Sequence, residues 1–380
     1  MSKIIYLDTA ATTYPKPLSV YRAVDECMRE HGGNPGRGTH TLALRAAEKI
    51  YDCREELANF FDAPSPESIV FTYNTTYALN MAIKAHLTHG SHVLISDIEH
   101  NSVLRPVHEC ANRGFCTYDI FPTSEGDDAV IASILQRIKP NTRMLVCNHI
   151  SNIGSRCLPI KRIGEICHAH NILLIVDGAQ SAGTMPISIK NDGIDILCVP
   201  GHKGLYGPQG TGVMIVSPDL QSQTFVEGGS GIHSLELNMP LFLPERHEAG
   251  TLATPNIAGL LSGLKWVKQH SVDKIAKEEQ QLSHIAQKWL EEIPGVTVYR
   301  MSNSVTGTFC FNINQKTAQK TGEALNDYGI CVRPGLHCAP LAHKSLGTGA
   351  LGAVRVSIGA FNTLDDIATL CNVTEKISRI

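Results

Sequence analysis

Residues 172–208 read ILLIVDGAQSAGTMPISIKNDGIDILCVPGHKGLYGP. An apolar run, 172–176, closes on Asp177, Gly178, Ala179 and Gln180. A second run, 195–199 (DILCV), closes on Pro200 and then Gly201-His202-Lys203-Gly204. Short continuous apolar runs bounded by turn residues are the signature of strands covered on both faces, as in parallel sheets. Working outward, 212–216 (GVMIV), 143–148 (RMLVCN), 92–96 (HVLIS) and 68–72 (SIVFT) read as further strands. Helix-like segments at 77–87 and 160–170 separate them. This alternation predicts βαβ units, a mainly parallel sheet and helices on both faces. Ligands of such sheets bind in the loops after the strands' carboxyl ends, which is where Asp177 and Lys203 fall.

The pattern changes near residue 255. Residues 256–292 read as a long helical region, 308–314 as a strand, 316–328 as a helix and 353–357 as a strand. The reading divides the chain into a large α/β domain, 15–255, and a smaller α+β domain, 256–380, with 1–14 packing on the latter. The Gly- and Pro-rich stretch 228–255 reads as a long functional loop plus a connection.

The 380 residues are 43% hydrophobic and 18% charged, which excludes disorder, collagen and coiled coil. A formal net charge of −3 gives no reason to expect nucleic acid or an anionic membrane as partner. The run 172–176 is far too short to cross a bilayer. The start, MSKIIYLDTAATT, has no apolar signal region, so a cytoplasmic location is expected. Twelve cysteines are scattered with no Cys-x-x-Cys pair and read as reduced thiols, not a disulfide framework.

Three strand-end features carry chemistry. Asp177 is either a helix N-cap or a fixed anion for a cationic ring nitrogen. Lys203, hemmed by glycines, is either a loop lysine or a desolvated amine suited to a Schiff base. Neither a Walker A loop nor a G-x-G-x-x-G fingerprint fits the glycines around it. Asn74-Thr75-Thr76, between a strand and a helix, is either a simple cap or a phosphate cradle. Together a cradle, a ring-nitrogen acid and a Schiff-base lysine are the parts that hold pyridoxal 5'-phosphate.

On these motifs, and on Tyr6-Leu-Asp-Thr-Ala-Ala, Val332-Arg-Pro-Gly-Leu-His-Cys-Ala-Pro and Phe361-Asn-Thr, the sequence resembles the cysteine desulfurases of the class V aminotransferase group. The C-terminal block is similar to the SufS-type (group II) desulfurases and selenocysteine lyases. The resemblance implies fold type I, with a mainly parallel seven-stranded sheet. It implies that Lys203 holds the cofactor and then acts as base, that Asp177 pairs with its ring nitrogen and that Gln180 bonds its phenolic oxygen. His100 stacks on the ring, Asn152 sits near the phenolic oxygen and substrate, and Thr75, Thr76 and His202 hold the phosphate. Thr251 reaches the phosphate of a neighbouring subunit, implying a homodimer. Arg355 clamps the substrate carboxylate, and Cys338 is the nucleophile, with Arg333 near it. The implied reaction converts L-cysteine to L-alanine through a Cys338 persulfide passed to a sulfur-acceptor protein, as in sulfur mobilisation for iron–sulfur clusters.

One departure stands out: the family has Ser or Thr where this chain has Pro200, so one phosphate hydroxyl is missing. The segment after Cys338, Leu341-Ala-His-Lys-Ser-Leu-Gly-Thr, also differs from the best-known group II enzymes. A selenocysteine lyase uses the same constellation. Another class V lyase or aminotransferase needs Lys203, Asp177 and Arg355 but not Cys338. A non-catalytic partner of a sulfur carrier needs neither Lys203 nor Cys338. Cys147 and Cys198 lie in apolar strands and read as inert. Cys167-His168-Ala-His170 lacks a second half for a closed zinc site, and no metal is expected.

Overall fold

The computed structural model describes residues 4–36 and 38–379. The first part of the chain holds β1 (Ile5–Tyr6), α1 (Leu18–Glu30), α2 (Thr41–Phe61), β2 (Ile69–Thr72) and α3 (Thr75–His86). Next come β3 (Ser91–Ser96), α4 (Asn101–Asn112), β4 (Cys116–Phe121), α5 (Asp127–Arg137) and β5 (Thr142–Asn148). They are followed by α6 (Ile160–Ala169), β6 (Leu173–Asp177), β7 (Ile196–Pro200) and β8 (Gly212–Val216). The remainder comprises α7 (Thr254–His270), α8 (Val272–Glu291), β9 (Val296–Tyr299), β10 (Thr308–Ile313) and α9 (Ala318–Asp327). It ends with β11 (Ile330–Cys331), β12 (Arg333–Gly335), α10 (Pro340–Ser345), β13 (Ala353–Ser357) and α11 (Leu364–Ser378).

β2 to β8 form a seven-stranded sheet in the order β2-β8-β7-β6-β5-β3-β4. Only β8 runs against its neighbours, pairing antiparallel with β2 and β7. The sheet is buried on both faces, which is why its central strands read as unbroken apolar runs. Leu94, Leu145, Leu174, Leu197 and Val213 point to one face, under α2, α5, α6 and α7. Val93, Val146, Ile175, Ile196 and Met214 point to the other, under α3 and α4. Strand β4, CTYDIF, was not among the runs found by periodicity. It lies at the sheet edge and buries only its two end residues, so it carries no continuous apolar signal.

A second, antiparallel sheet, β12-β13-β10-β9, has its own core with α8, α9 and α11. β1 pairs with β11 beside it. The helical stretch expected at 256–292 is two helices, broken at Ser271, whose φ of 67° no helix accommodates. No helix among the described residues is long and apolar enough to cross a membrane.

Candidate functional site

The strand ends and helix starts of the large sheet converge on one cavity. Thr75, Thr76, His100, Asn152, Asp177, Gln180, His202 and Lys203 all line it, together with Asn74, Ser102 and Asn148. Asn74 caps α3 by accepting a hydrogen bond from the Tyr77 amide at 2.9 Å, and Asn74, Thr75 and Thr76 at this helix start line the cavity. Thr76 Oγ1 lies 2.7 Å from Ser102 Oγ, and His100 caps α4 with Nδ1 2.8 Å from the same hydroxyl. The cap is made by the ring nitrogen that also accepts from the Ser102 amide at 3.1 Å, so the ring is fixed over the cavity.

Lys203 sits in a turn that only glycines permit. A Cβ on Gly183, whose φ is +82°, would meet the Gly204 carbonyl oxygen at 2.1 Å. This close approach presses the Asp177–Met185 loop against the lysine turn. Burial pulls the Lys203 amine down to about 8, with Arg355 and Arg333 adding to the effect and Asp177 opposing it. Asp177 itself is raised by burial, offset by the Ala179 amide at 2.9 Å and by Lys203. His100 is lowered to about 4 by burial and by the surrounding cations, Lys203 first among them. It is therefore a neutral ring at pH 7.

The small sheet supplies the other wall. Arg355, in β13, is buried and ion-paired with Asp8 at 2.6 Å, and its Nη1 donates to the Asn152 carbonyl at 3.3 Å. Arg333 lies beside it on β12. Cys338 is the exposed cysteine of the chain. Its carbonyl accepts from the Asn101 amide at 2.7 Å, which tethers the Cys338 loop next to His100. Asn152 Nδ2 donates to the preceding carbonyl, that of His337, at 3.0 Å. His337 and Cys338 are both left-handed, with φ of 51° and 57°. Two such residues cost about 1–3 kcal/mol each, so the loop keeps this shape only because its ties impose it. By contrast, burial pushes the Cys147 and Cys198 thiols well above the ordinary range, as expected of inert core cysteines.

Gln180 and Thr251 have further surroundings of their own. Gln180 donates its amide to the Ala10 carbonyl at 3.1 Å. Thr251 does not join the cavity of its own chain: it is exposed and lines a separate hollow with Phe71, Tyr73 and Glu248. Glu248 anchors that loop by accepting from the Phe71 amide at 2.6 Å and pairing with buried Arg54.

Sequence reasoning missed several neighbours. Asp8 lies in the quoted Tyr6-Leu-Asp motif, yet its partner Arg355 is 347 positions away. Glu99 is raised to about 8 by burial and accepts from the Asn148 amide at 2.9 Å. Lys16 donates to the His202 carbonyl at 2.7 Å and is lowered to about 7 by burial. Only the adjacency of Glu99 to His100 offered a signal in the chain.

The donor set fits pyridoxal phosphate. Thr75 Oγ1 and His202 Nδ1 are buried with no partner in the protein, and both face the cavity where Asp177 and Lys203 lie. Unpartnered buried polar atoms beside the N-terminus of α3 suit a phosphate. An α/β fold of this topology, with a desolvated lysine and a buried aspartate at adjacent strand ends, defines the pyridoxal-phosphate enzymes of fold type I.

Comparison with known proteins narrows the class. The aminotransferase class-V profile matches residues 5–370. A probable cysteine desulfurase of Methanothermobacter thermautotrophicus is 34% identical, over 98% of this chain and 94% of its own. The apo structure of a cysteine desulfurase from Thermococcus onnurineus superposes with a TM-score of 0.91 at 29% identity, covering 99% of this chain and 95% of that one. The Escherichia coli cysteine desulfurase CsdA (S-sulfonic acid) superposes with a TM-score of 0.88 at 27% identity, covering 98% and 94%. The chain belongs to the aminotransferase class-V family, whose members use pyridoxal phosphate, and its curated relatives there are cysteine desulfurases.

Proposed function

We propose that the protein is a pyridoxal-phosphate-dependent cysteine desulfurase that converts L-cysteine to L-alanine and leaves the sulfur on Cys338. The observation that carries this reading is the placement of an exposed cysteine on a loop tied to Asn101 and Asn152, both beside the Lys203 cavity. A transaminase has no use for that arrangement.

Thr75, Thr76 and His202 would hold the cofactor phosphate, Asp177 would hold its ring nitrogen, and His100 would cover the ring. Gln180 and Asn152 would serve the phenolic oxygen. The bound cofactor supplies a sink for the electron pair released at the substrate Cα. Arg355 takes the substrate carboxylate, for which a buried guanidinium already oriented by Asp8 is suited. Lys203 removes the Cα proton and returns one to the product. The Cys338 thiolate attacks the substrate sulfur: an S–S bond forms, the substrate C–S bond breaks, and its electron pair passes to the carbon skeleton. That skeleton takes protons and leaves as alanine, while Cys338 keeps a persulfide. Arg333 lies on the strand that leads into the Cys338 loop.

Turnover then needs a thiol or an acceptor protein to take the persulfide sulfur. The exposure of Cys338 supports such a handover. The exposed position of Thr251, outside its own cavity, supports a homodimer in which it reaches the cofactor phosphate of the partner subunit.

The test is alanine release by the purified protein with L-cysteine and with L-selenocysteine, for wild type and Cys338→Ala. Cysteine turnover that Cys338→Ala loses is the expected result. Consumption of selenocysteine alone, with activity retained in Cys338→Ala, refutes it in favour of a selenocysteine lyase.

A further inference from the structure

Behind the Cys338 loop lies a chain of buried side chains that the reaction itself does not use. His337 Nε2 is 2.8 Å from the Arg333 carbonyl, and His337 Nδ1 is 2.9 Å from His343 Nε2. His343 Nδ1 is in turn 2.7 Å from Thr348 Oγ1. The two imidazole planes are only 21° apart, with centroids 5.1 Å apart, so the rings meet edge to edge, and His343 is fully buried on α10.

The proton positions along this chain follow from its first link. A carbonyl only accepts, so His337 Nε2 carries the hydrogen. Burial and nearby Arg355 lower His337 to about 3 and His343 to about 4, so both rings are neutral at pH 7. Nδ1 of His337 is therefore bare and accepts from His343 Nε2–H. Nδ1 of His343 is bare in turn and faces the Thr348 hydroxyl at 2.7 Å, whose one hydrogen is shared with the His343 carbonyl at 3.2 Å. Every ring nitrogen has a partner.

We infer that the chain Thr348–His343–His337–Arg333 is a positioning device for Cys338: it occupies both nitrogens of the His337 ring and holds the loop in its left-handed form. His337 is next to the nucleophile in sequence but has no free nitrogen with which to act as its base. His343 and Thr348 are positioning residues that touch neither thiol nor substrate. Both belong to the segment in which this chain departs from the best-known group II enzymes. The inference rests on the reading of Cys338 as the sulfur carrier.

The test compares the wild-type holoenzyme with His343→Leu, His343→Gln and Thr348→Val. Two quantities are read by mass spectrometry: persulfide formed on Cys338 in a single turnover with L-cysteine, and the rate of Cys338 alkylation by iodoacetamide without substrate. His343→Leu removes the donor to His337, and persulfide formation is expected to fall at least about tenfold, as for any reacting atom released from its aligned position. The alkylation rate changes with it, while KM for cysteine and cofactor content stay at wild-type values. His343→Gln keeps an N–H toward His337 and an oxygen toward Thr348, and restores persulfide formation to within about threefold. Thr348→Val preserves volume and gives an intermediate loss, which keeps the test available if His343→Leu does not fold. Wild-type persulfide rates in His343→Leu and Thr348→Val overturn the inference, as does a Gln variant no better than Leu. A wild type that leaves no sulfur on Cys338 refutes the parent reading and this one together.

Discussion

The neutral fraction of Lys203 is the most direct quantitative consequence of the site. An ordinary lysine amine, at 10.5, is neutral in roughly one molecule in three thousand at pH 7; at about 8, Lys203 is neutral in roughly one in ten. The gain in amine able to attack an aldehyde is about 300-fold. Burial is the main cause, and two charges pull in opposite directions on top of it. Asp177→Asn removes the anion that favours the ammonium, so the Lys203 midpoint moves down. Arg355→Gln removes a cation that disfavours it, so the midpoint moves up. Competitive acetylation of the cofactor-free protein across the neutral and alkaline range, read peptide by peptide, gives that midpoint. Wild type is expected to titrate near 8, with the two variants displaced to opposite sides. A wild-type midpoint at the ordinary lysine value refutes the reasoning. So do variants whose midpoints stay at the wild-type value, because burial alone would then control the amine.

Two further outcomes follow from other parts of the molecule. Arg54→Ala leaves Glu248 buried beside the Phe71 amide without its cation, and is expected to cost about 3–5 kcal/mol of stability by denaturant unfolding; a loss under about 1 kcal/mol contradicts it. Pro200→Ser places a hydroxyl at the end of β7, yet Thr75 Oγ1 and His202 Nδ1 are already unpartnered in residues that line the cavity, so cofactor affinity measured by fluorescence titration is expected to rise less than about tenfold.

Much of the fold was legible because the sheet is covered on both faces. That condition forces β3, β5, β6, β7 and β8 to be apolar nearly throughout, and glycine and proline mark where they end. The edge strand β4 escapes the same reading because solvent touches most of it. The break at Ser271 was invisible for a related reason: helical periodicity continues on both sides of it.

The chain by itself placed Asp177, Lys203 and the Asn74-Thr75-Thr76 turn, because each lies at the end of a strand and a parallel sheet gathers such ends at one edge, and the resemblance added His100. It singled out Cys338 by its loop and by resemblance. Only the tertiary structure decided what surrounds them. The pairing of Arg355 with Asp8, the neutral Glu99 beside His100, and the His337–His343–Thr348 chain depend on contacts between the two sheets or within a buried pocket. Spacing along a chain encodes which face of an element a residue occupies. It does not encode which residue of another element meets it there, and burial, which shifts Lys203, Asp177 and His100, exists only once they have met.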